Sequence, residues 1–320
     1  MDYKEKYLKY KNKYLELKKI NQSNNLILNQ LGGTKTKQII YQNDKLEIIN
    51  TIDDDILNEH STFLIGSITK IFTVFTILIL HQQHLLDIND TIIKYLDSKN
   101  INNNIYFNKI KIIDIINHIS GIKQMPNKKK IHINTHYTNI TDCIHTFINE
   151  NLFINNKYGI YNYSNIGYVI LGYIIEQITN KSYIESFQKY IFIPLKMNNT
   201  NLGESNIKLY SKNCKKLKKY EKNLKYWTFT AGSLYSCVND LIIFAKESHK
   251  LLNNNTINIL INNIYLGMRN NKNGHIGHSG NINGSSTKFN YKLNKNLLVE
   301  NIQIEFNTCT STKFNYTKYI

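Results

Sequence analysis

The chain predicts an α/β fold with strands at both ends and helices between them, and three stretches carry that prediction. Residues 38–41 and 45–50 have the character of paired strands around Asn43-Asp44. The run Ile71-Phe72-Thr73-Val74-Phe75-Thr76-Ile77-Leu78-Ile79-Leu80 holds no Gly or Pro and only two polar residues, so it reads as a helix buried all round. From His275 onward two-residue alternation returns: Phe289, Tyr291 and Leu293 share one face, and residues 297–306 suit a further strand. With 320 residues, 42% of them hydrophobic, one sizeable core is expected rather than several independent ones.

Taken in order, residues 1–37 form a separate piece. Tyr3, Tyr7, Tyr10, Tyr14 and Leu17 follow a four-three spacing, and Lys6-Tyr7-Leu8-Lys9 recurs one heptad on as Lys13-Tyr14-Leu15-Glu16. This predicts an amphipathic helix over residues 3–20, for which self-association, docking on the body and simple solvation all stay open. A polar link with Gly32-Gly33 joins it to the body at residues 38–306. Within the body, residues 63–200 are mostly helical by pattern, with loops near 122–142, and the Lys-rich stretch 203–226 is expected to be exposed. The tail, residues 307–320, is polar and aperiodic. It repeats Ser286-Thr287-Lys288-Phe289-Asn290-Tyr291 as Ser311-Thr312-Lys313-Phe314-Asn315-Tyr316, which points to a local duplication or a frame-altered end.

Charge narrows the function classes. Lys+Arg is 40 against 23 acidic residues, giving +17, yet Arg269 is the single arginine. Base readout and bidentate phosphate contacts favour Arg, so no specific nucleic-acid role is expected. The abundance of Asn, Ile, Lys and Tyr is what A/T-rich codons produce. Cys143, Cys214, Cys237 and Cys309 have no Cys-x-x-Cys spacing, which suits a reducing compartment. No apolar leader opens the chain and no run reaches membrane-span length, so the expected location is the cytoplasm, in a host cell or a virion.

Three short segments carry chemistry: Ser67-Ile68-Thr69-Lys70, Tyr163-Ser164-Asn165 and His278-Ser279-Gly280. A nucleophilic serine needs a base in reach, a proton shuttle and donors for the oxyanion, and these segments hold candidates for each. Ser-x-x-Lys alone says little, since the pattern also occurs at Ser120/Lys123, Ser186/Lys189, Ser205/Lys208 and Ser285/Lys288. The first pair differs in its setting, with Gly66 before it and the buried helix after it. There Lys70 falls one turn beyond Ser67, where burial favours the neutral amine that a general base requires. The plain alternative is a serine N-cap on a core helix. His275-x-x-His278 invites a metal reading, but no Glu lies between the two and no third ligand is placed, so neither metal nor cofactor is expected. His81, His84, His132 and His136 read as surface histidines.

The segments sit in a longer succession. Around Ser67 runs Thr62-Phe63-Leu64-Ile65-Gly66-Ser67, followed by Leu85-Leu86-Asp87, then Asn117-His118-Ile119-Ser120-Gly121, then Tyr163-Ser164-Asn165-Ile166-Gly167-Tyr168. Pro194-Leu195-Lys196-Met197, Ala231-Gly232-Ser233-Leu234 and Gly277-His278-Ser279-Gly280 complete it. This order resembles the serine β-lactamase-related family: class C β-lactamases, penicillin-binding D-alanyl-peptidases and their esterase relatives. The resemblance covers roughly residues 38–305. It implies an antiparallel sheet flanked by helices plus an all-helical lobe, with the site in the crevice between them, and a small-molecule or peptide-like acyl substrate.

Carried over residue by residue, the resemblance makes Ser67 the nucleophile of an acyl-enzyme, Lys70 the partner that takes or orders its proton, and Tyr163 the second base. Asn165 becomes a substrate amide contact, and His278 faces the substrate carboxylate, with Ser279 and Gly280 completing the strand. The backbone N–H groups of Ser67 and Asn281 hold the oxyanion, while the block around His118 is a structural turn. Relatives close with a helix packed on the sheet, for which the tail here has no equivalent. Two classes therefore stay open: a serine hydrolase acting on an ester, amide or β-lactam, and a non-catalytic binding or virion-associated structural protein that keeps the fold.

Overall fold

Asn43 and Asp44, at φ 52° and 58°, form the tight hairpin turn that joins β1 (Lys37–Gln42) to β2 (Lys45–Asn50). The computed structural model describes residues 36–96, 107–125, 137, 139–148, 153–210, 228–264, 274–282, 284–294 and 296–308. The segment at 3–20, His132, His136, Cys214, Cys309 and the repeat copy at 311–316 lie outside them.

After the hairpin come β3 (Phe63–Leu64), a 3-10 turn at Gly66–Ile68 and α1 (Thr69–Gln82). Next are α2 (Ile112–Ile116), β4 (Ser120–Ile122), α3 (Ile140–Ile148) and β5 (Phe153–Tyr158). α4 (Asn165–Thr179), α5 (Tyr183–Phe187), α6 (Ile193–Leu195) and β6 (Asn201–Leu202) follow. The rest is α7 (Phe229–Gly232), β7 (Leu234–Ser236), α8 (Val238–Glu247), α9 (Asn254–Asn263), β8 (His275–Ile282), β9 (Ser285–Leu293) and β10 (Val299–Thr308).

Strands from the two ends of the body meet in one antiparallel sheet of order β2-β1-β10-β9-β8, as the sequence predicts. Its inner face carries Phe289, Tyr291, Ile304 and Phe306, all buried. Phe306 stacks on Phe63 at 4.9 Å, and Phe244 of α8 bridges Phe289 at 6.2 Å to Phe72 and Phe75 of α1 at 4.9 Å each. α1 is thus enclosed by other elements, which explains a sequence that is apolar all round. Burying one such phenyl ring stabilises the fold by about 1.5–3 kcal/mol.

Over β9 and β10 the outer sheet face is polar, while Ile40 of β1 and Ile49 of β2 add two half-buried apolar side chains to it. Lys288 pairs with Glu305 at 3.6 Å, Lys292 with Glu300 at 3.5 Å, and Asn290 donates to Gln303 at 2.9 Å. β10 runs two residues past 306: Asn307 and Thr308 are buried and pair with Gln38 and Lys37.

Of the stretch expected to be exposed, residues 211–226 lie outside the described residues and Gly203, Glu204 and Asn206 are exposed, whereas Ile207, Leu209 and Tyr210 are buried, closing over a polar cluster at the start of β1. There the fully buried Lys37 donates to Asp53 at 3.0 Å, to Asp55 at 2.5 Å and to the Lys208 carbonyl at 3.2 Å. The Tyr210 hydroxyl donates to Asp53 at 2.6 Å and the Lys208 N–H to Asp55 at 3.0 Å.

Candidate active site

Ser67 sits in the 3-10 turn ahead of α1, after Gly66 at φ 49°. It is not a helix cap: the residue before α1 is Ile68, which makes no side-chain cap bond. Strands β8 and β9 hold this turn. Ser285 donates to the Leu64 carbonyl at 2.8 Å and Thr287 to that of Ile65 at 3.2 Å. A Cβ on Gly280 would lie 2.0 Å from the Ile65 carbonyl oxygen, so glycine is what lets β8 come this close. The same approach sets the Asn281 backbone nitrogen beside Gly66, 3.2 Å from where a Cβ would stand.

Lys70, 1% exposed, points from the first turn of α1 at three oxygens. It donates to Asn165 Oδ1 at 2.7 Å and to the Ala231 carbonyl at 2.6 Å, and its Nζ is 3.1 Å from Ser67 Oγ. Burial pushes its pKa well below the ordinary lysine value. In the neutral amine two N–H groups face the two permanent acceptors, and the lone pair is left for the Ser67 hydroxyl. We assign Oδ1 rather than Nδ2 of Asn165 to this contact because an amine N–H needs an acceptor.

Ser164 caps α4, accepting the Gly167 N–H at 2.9 Å, and so fixes its neighbours on either side. Tyr163 places its hydroxyl 2.7 Å from Ser67 Oγ, and Asn165 opens the helix toward Lys70. Burial raises the Tyr163 pKa, so its phenol holds its proton. α4 reaches α7 closely enough that a Cβ on Gly172 would meet Thr230 Oγ1 at 2.4 Å, and Thr230 donates to the Tyr168 carbonyl at 2.6 Å. That packing delivers the Ala231 carbonyl to Lys70.

His278 lies beside Tyr163, with ring centroids 6.0 Å apart. Its Nδ1 is 2.5 Å from the carbonyl of Ser279, which can only accept, so Nδ1 carries the proton and Nε2 is bare. Burial, reinforced by Lys70, pushes its pKa down to about 3, and Nε2 is buried without a hydrogen-bond partner among the described residues. His275 is exposed and alternates to the opposite face of β8 from buried His278, so the two cannot share an ion. Among the described residues no group of three His, Cys, Asp or Glu side chains is arranged to hold a metal.

The structure therefore brings Ser67, Lys70, Tyr163 and Asn165 into one hydrogen-bonded set. His278, Gly280 and the Asn281 backbone border it, and Ser279 contributes its carbonyl. Sequence reasoning gave no role to Ala231, although the block containing it stood among those quoted for the resemblance. The arrangement can activate a serine hydroxyl and carry its proton onward.

Residues 53–288 match the family model described as Beta-lactamase. The teichoic acid D-alanine hydrolase of Staphylococcus aureus is 28% identical over 239 residues, covering 69% of this chain and 56% of that protein. The chain thus spans little more than half the length of the curated relatives it matches. FmtA from Staphylococcus aureus superposes with a TM-score of 0.67 at 21% identity, over 91% of this chain and 82% of that one. The D-amino acid amidase from Ochrobactrum anthropi SV3, complexed with L-phenylalanine amide, gives 0.69 at 16% identity, over 94% and 93%. At these identities the two structures establish the shared fold. No described helix is long and apolar enough to cross a membrane.

Proposed function

The chain belongs to the beta-lactamase family, and we propose that it is a serine hydrolase forming an acyl-enzyme on Ser67 with small ester or amide substrates, D-amino acyl groups among them. The observation that carries this is Ser67 Oγ lying between Tyr163 Oη at 2.7 Å and Lys70 Nζ at 3.1 Å. In acylation the Ser67 proton passes to neutral Lys70 while Oγ attacks the carbonyl carbon. Tyr163 protonates the departing alcohol or amine and is reprotonated from Lys70. Water reverses the sequence, and its proton returns to Oγ. The backbone N–H groups of Ser67 and Asn281 are the oxyanion donors in this scheme. D-amino acyl substrates are suggested by the names of the S. aureus hydrolase and the O. anthropi amidase.

His278 bears on which acyl compounds suit the site. An uncharged ring offers no cation to a substrate carboxylate, so acyl compounds without one are preferred over penicillins.

Intact-protein mass spectrometry tests the proposal, with a fluorophosphonate, a fluorescent penicillin and D- and L-alanyl esters, and S67A as control. One fluorophosphonate adduct lost in S67A, with D-alanyl ester turned over, is the expected result. A folded protein that no probe modifies refutes it.

A further inference from the structure

Tyr163 is gripped on both sides by a residue outside the chemistry. The carbonyl of His118 accepts the N–H of Asn162 at 2.7 Å, and its ring Nδ1 accepts the N–H of Ser164 at 3.0 Å. The same ring lies against the Tyr163 ring, with centroids 4.5 Å apart and planes inclined by 35°. Tyr168 packs against it at 5.0 Å and Tyr161 meets it edge-on at 5.9 Å. One fully buried residue thus touches the tyrosine ring and holds the peptide after it with its side chain, while its main-chain carbonyl holds the N–H of the residue before it.

His118 does this at φ 57°, a left-handed conformation unfavourable to residues with a Cβ, and the sequence keeps histidine there rather than glycine. The tautomer follows from the partner: a backbone N–H must donate, so Nδ1 carries the lone pair and the ring proton is on Nε2. The charged and titratable groups acting on the ring are Lys70, His278 and the three tyrosines. Burial comes first in holding the imidazole uncharged, and a proton on either Lys70 or His278 would only add to that.

We propose that His118 is a positioning residue for Tyr163, its bare Nδ1 and stacked ring holding the phenol on Ser67. The assignment rests on the acyl-enzyme reading above. It differs from a structural turn in what it predicts: a turn needs only the left-handed backbone, whereas positioning needs the Nδ1 acceptor.

Two substitutions separate these roles, because both tolerate φ 57°. H118G keeps the backbone and removes the ring. H118N places Oδ1 where Nδ1 stood and so keeps the acceptor. Fluorophosphonate acylation is measured under saturating probe across pH, with melting temperatures for each variant. The expected result is a roughly 10²-fold fall in the limiting rate for H118G with probe affinity little changed, as a misplacement of about 1 Å gives, and recovery to within about tenfold in H118N. Wild-type rates in H118G, or equal losses in both variants accompanied by equal drops in melting temperature, overturn the assignment while leaving the acyl-enzyme reading intact. A wild type that no probe acylates defeats that reading instead. Independently, ¹⁵N spectra of histidine-labelled protein, assigned through H118N, should show Nδ1 unprotonated from pH 5 to 8; a proton on Nδ1 overturns the clamp regardless of activity.

Discussion

Lys70 donates to the main-chain carbonyl of Ala231 at 2.6 Å, across 161 residues of sequence. With Asn165 Oδ1 taking a second N–H at 2.7 Å, the two shortest contacts of this amine go to groups that cannot return a proton. What remains of its valence faces Ser67. The environment thus both lowers the basicity of Lys70 and directs the lone pair it keeps.

A pH dependence follows. The acylation rate should rise with pH through an apparent pKa well below the ordinary lysine value, because the depressed amine is the active form. In N165D a carboxylate replaces the amide oxygen 2.7 Å from Nζ and stabilises the ammonium. The acid limb should therefore move upward by roughly 1–3 pH units, with a slower reaction at neutral pH. Fluorophosphonate kinetics from pH 5 to 10 measure this; an unmoved limb would mean that Lys70 is not the group titrating.

Removing the Tyr163 hydroxyl leaves Ser67 with Lys70 alone. Y163F is expected to slow turnover by about 10²–10⁴-fold, the usual range for one lost acid–base group, while S67A abolishes adduct formation altogether. Residual Y163F turnover with fast acylation and slow hydrolysis would place the tyrosine in the second half-reaction only. Stopped-flow measurement of the two steps distinguishes these cases.

Gly280 sets the distance between β8 and the turn that carries Ser67. In G280A the new methyl would collide with the Ile65 carbonyl at 2.0 Å, so the strand or the turn must shift. Acylation should fall by about 10²-fold while far-ultraviolet circular dichroism stays native. Full activity in this variant would show that the Asn281 N–H is not needed for the oxyanion.

The Lys37 cluster predicts an acid-sensitive contribution to stability. Burial alone would raise the pKa of Asp55, but hydrogen bonds from Lys208 and Lys37 outweigh it and hold the carboxyl at about 2; Asp53 is lowered as well. A carboxylate whose folded pKa is depressed stabilises the fold above its unfolded value, about 3.9, and loses that contribution as pH falls toward the folded value. Urea midpoints should drop over that window. D55N, which leaves buried Lys37 short of a partner, should cost about 3 kcal/mol at pH 7 and flatten the acid response. An unchanged midpoint would show the pair to be energetically idle.

Much of the fold could be read along the chain because its signals are short-ranged. Asn-Asp between two apolar runs demands a tight turn, the 71–80 run cannot face water, and Phe289, Tyr291 and Leu293 alternate as a half-buried strand must. The blocks that hold Ser67, Lys70 and Tyr163 were also legible, since their order along the chain is distinctive. Other features depend on atoms that meet only after folding. Nothing near Lys70 in sequence announces the Ala231 carbonyl, and nothing near Tyr163 announces the His118 ring 45 residues upstream. The Lys-rich look of residues 203–226 concealed Ile207, Leu209 and Tyr210, which are buried because the acidic loop at Asp53 and Asp55 anchors them. The uncharged state of His278 is likewise a tertiary property, set by burial, although the carbonyl that takes its Nδ1 proton belongs to the next residue, Ser279. Periodicity and turn chemistry are written in neighbouring residues; hydrogen-bond partners, tautomers and burial belong to the assembled chain.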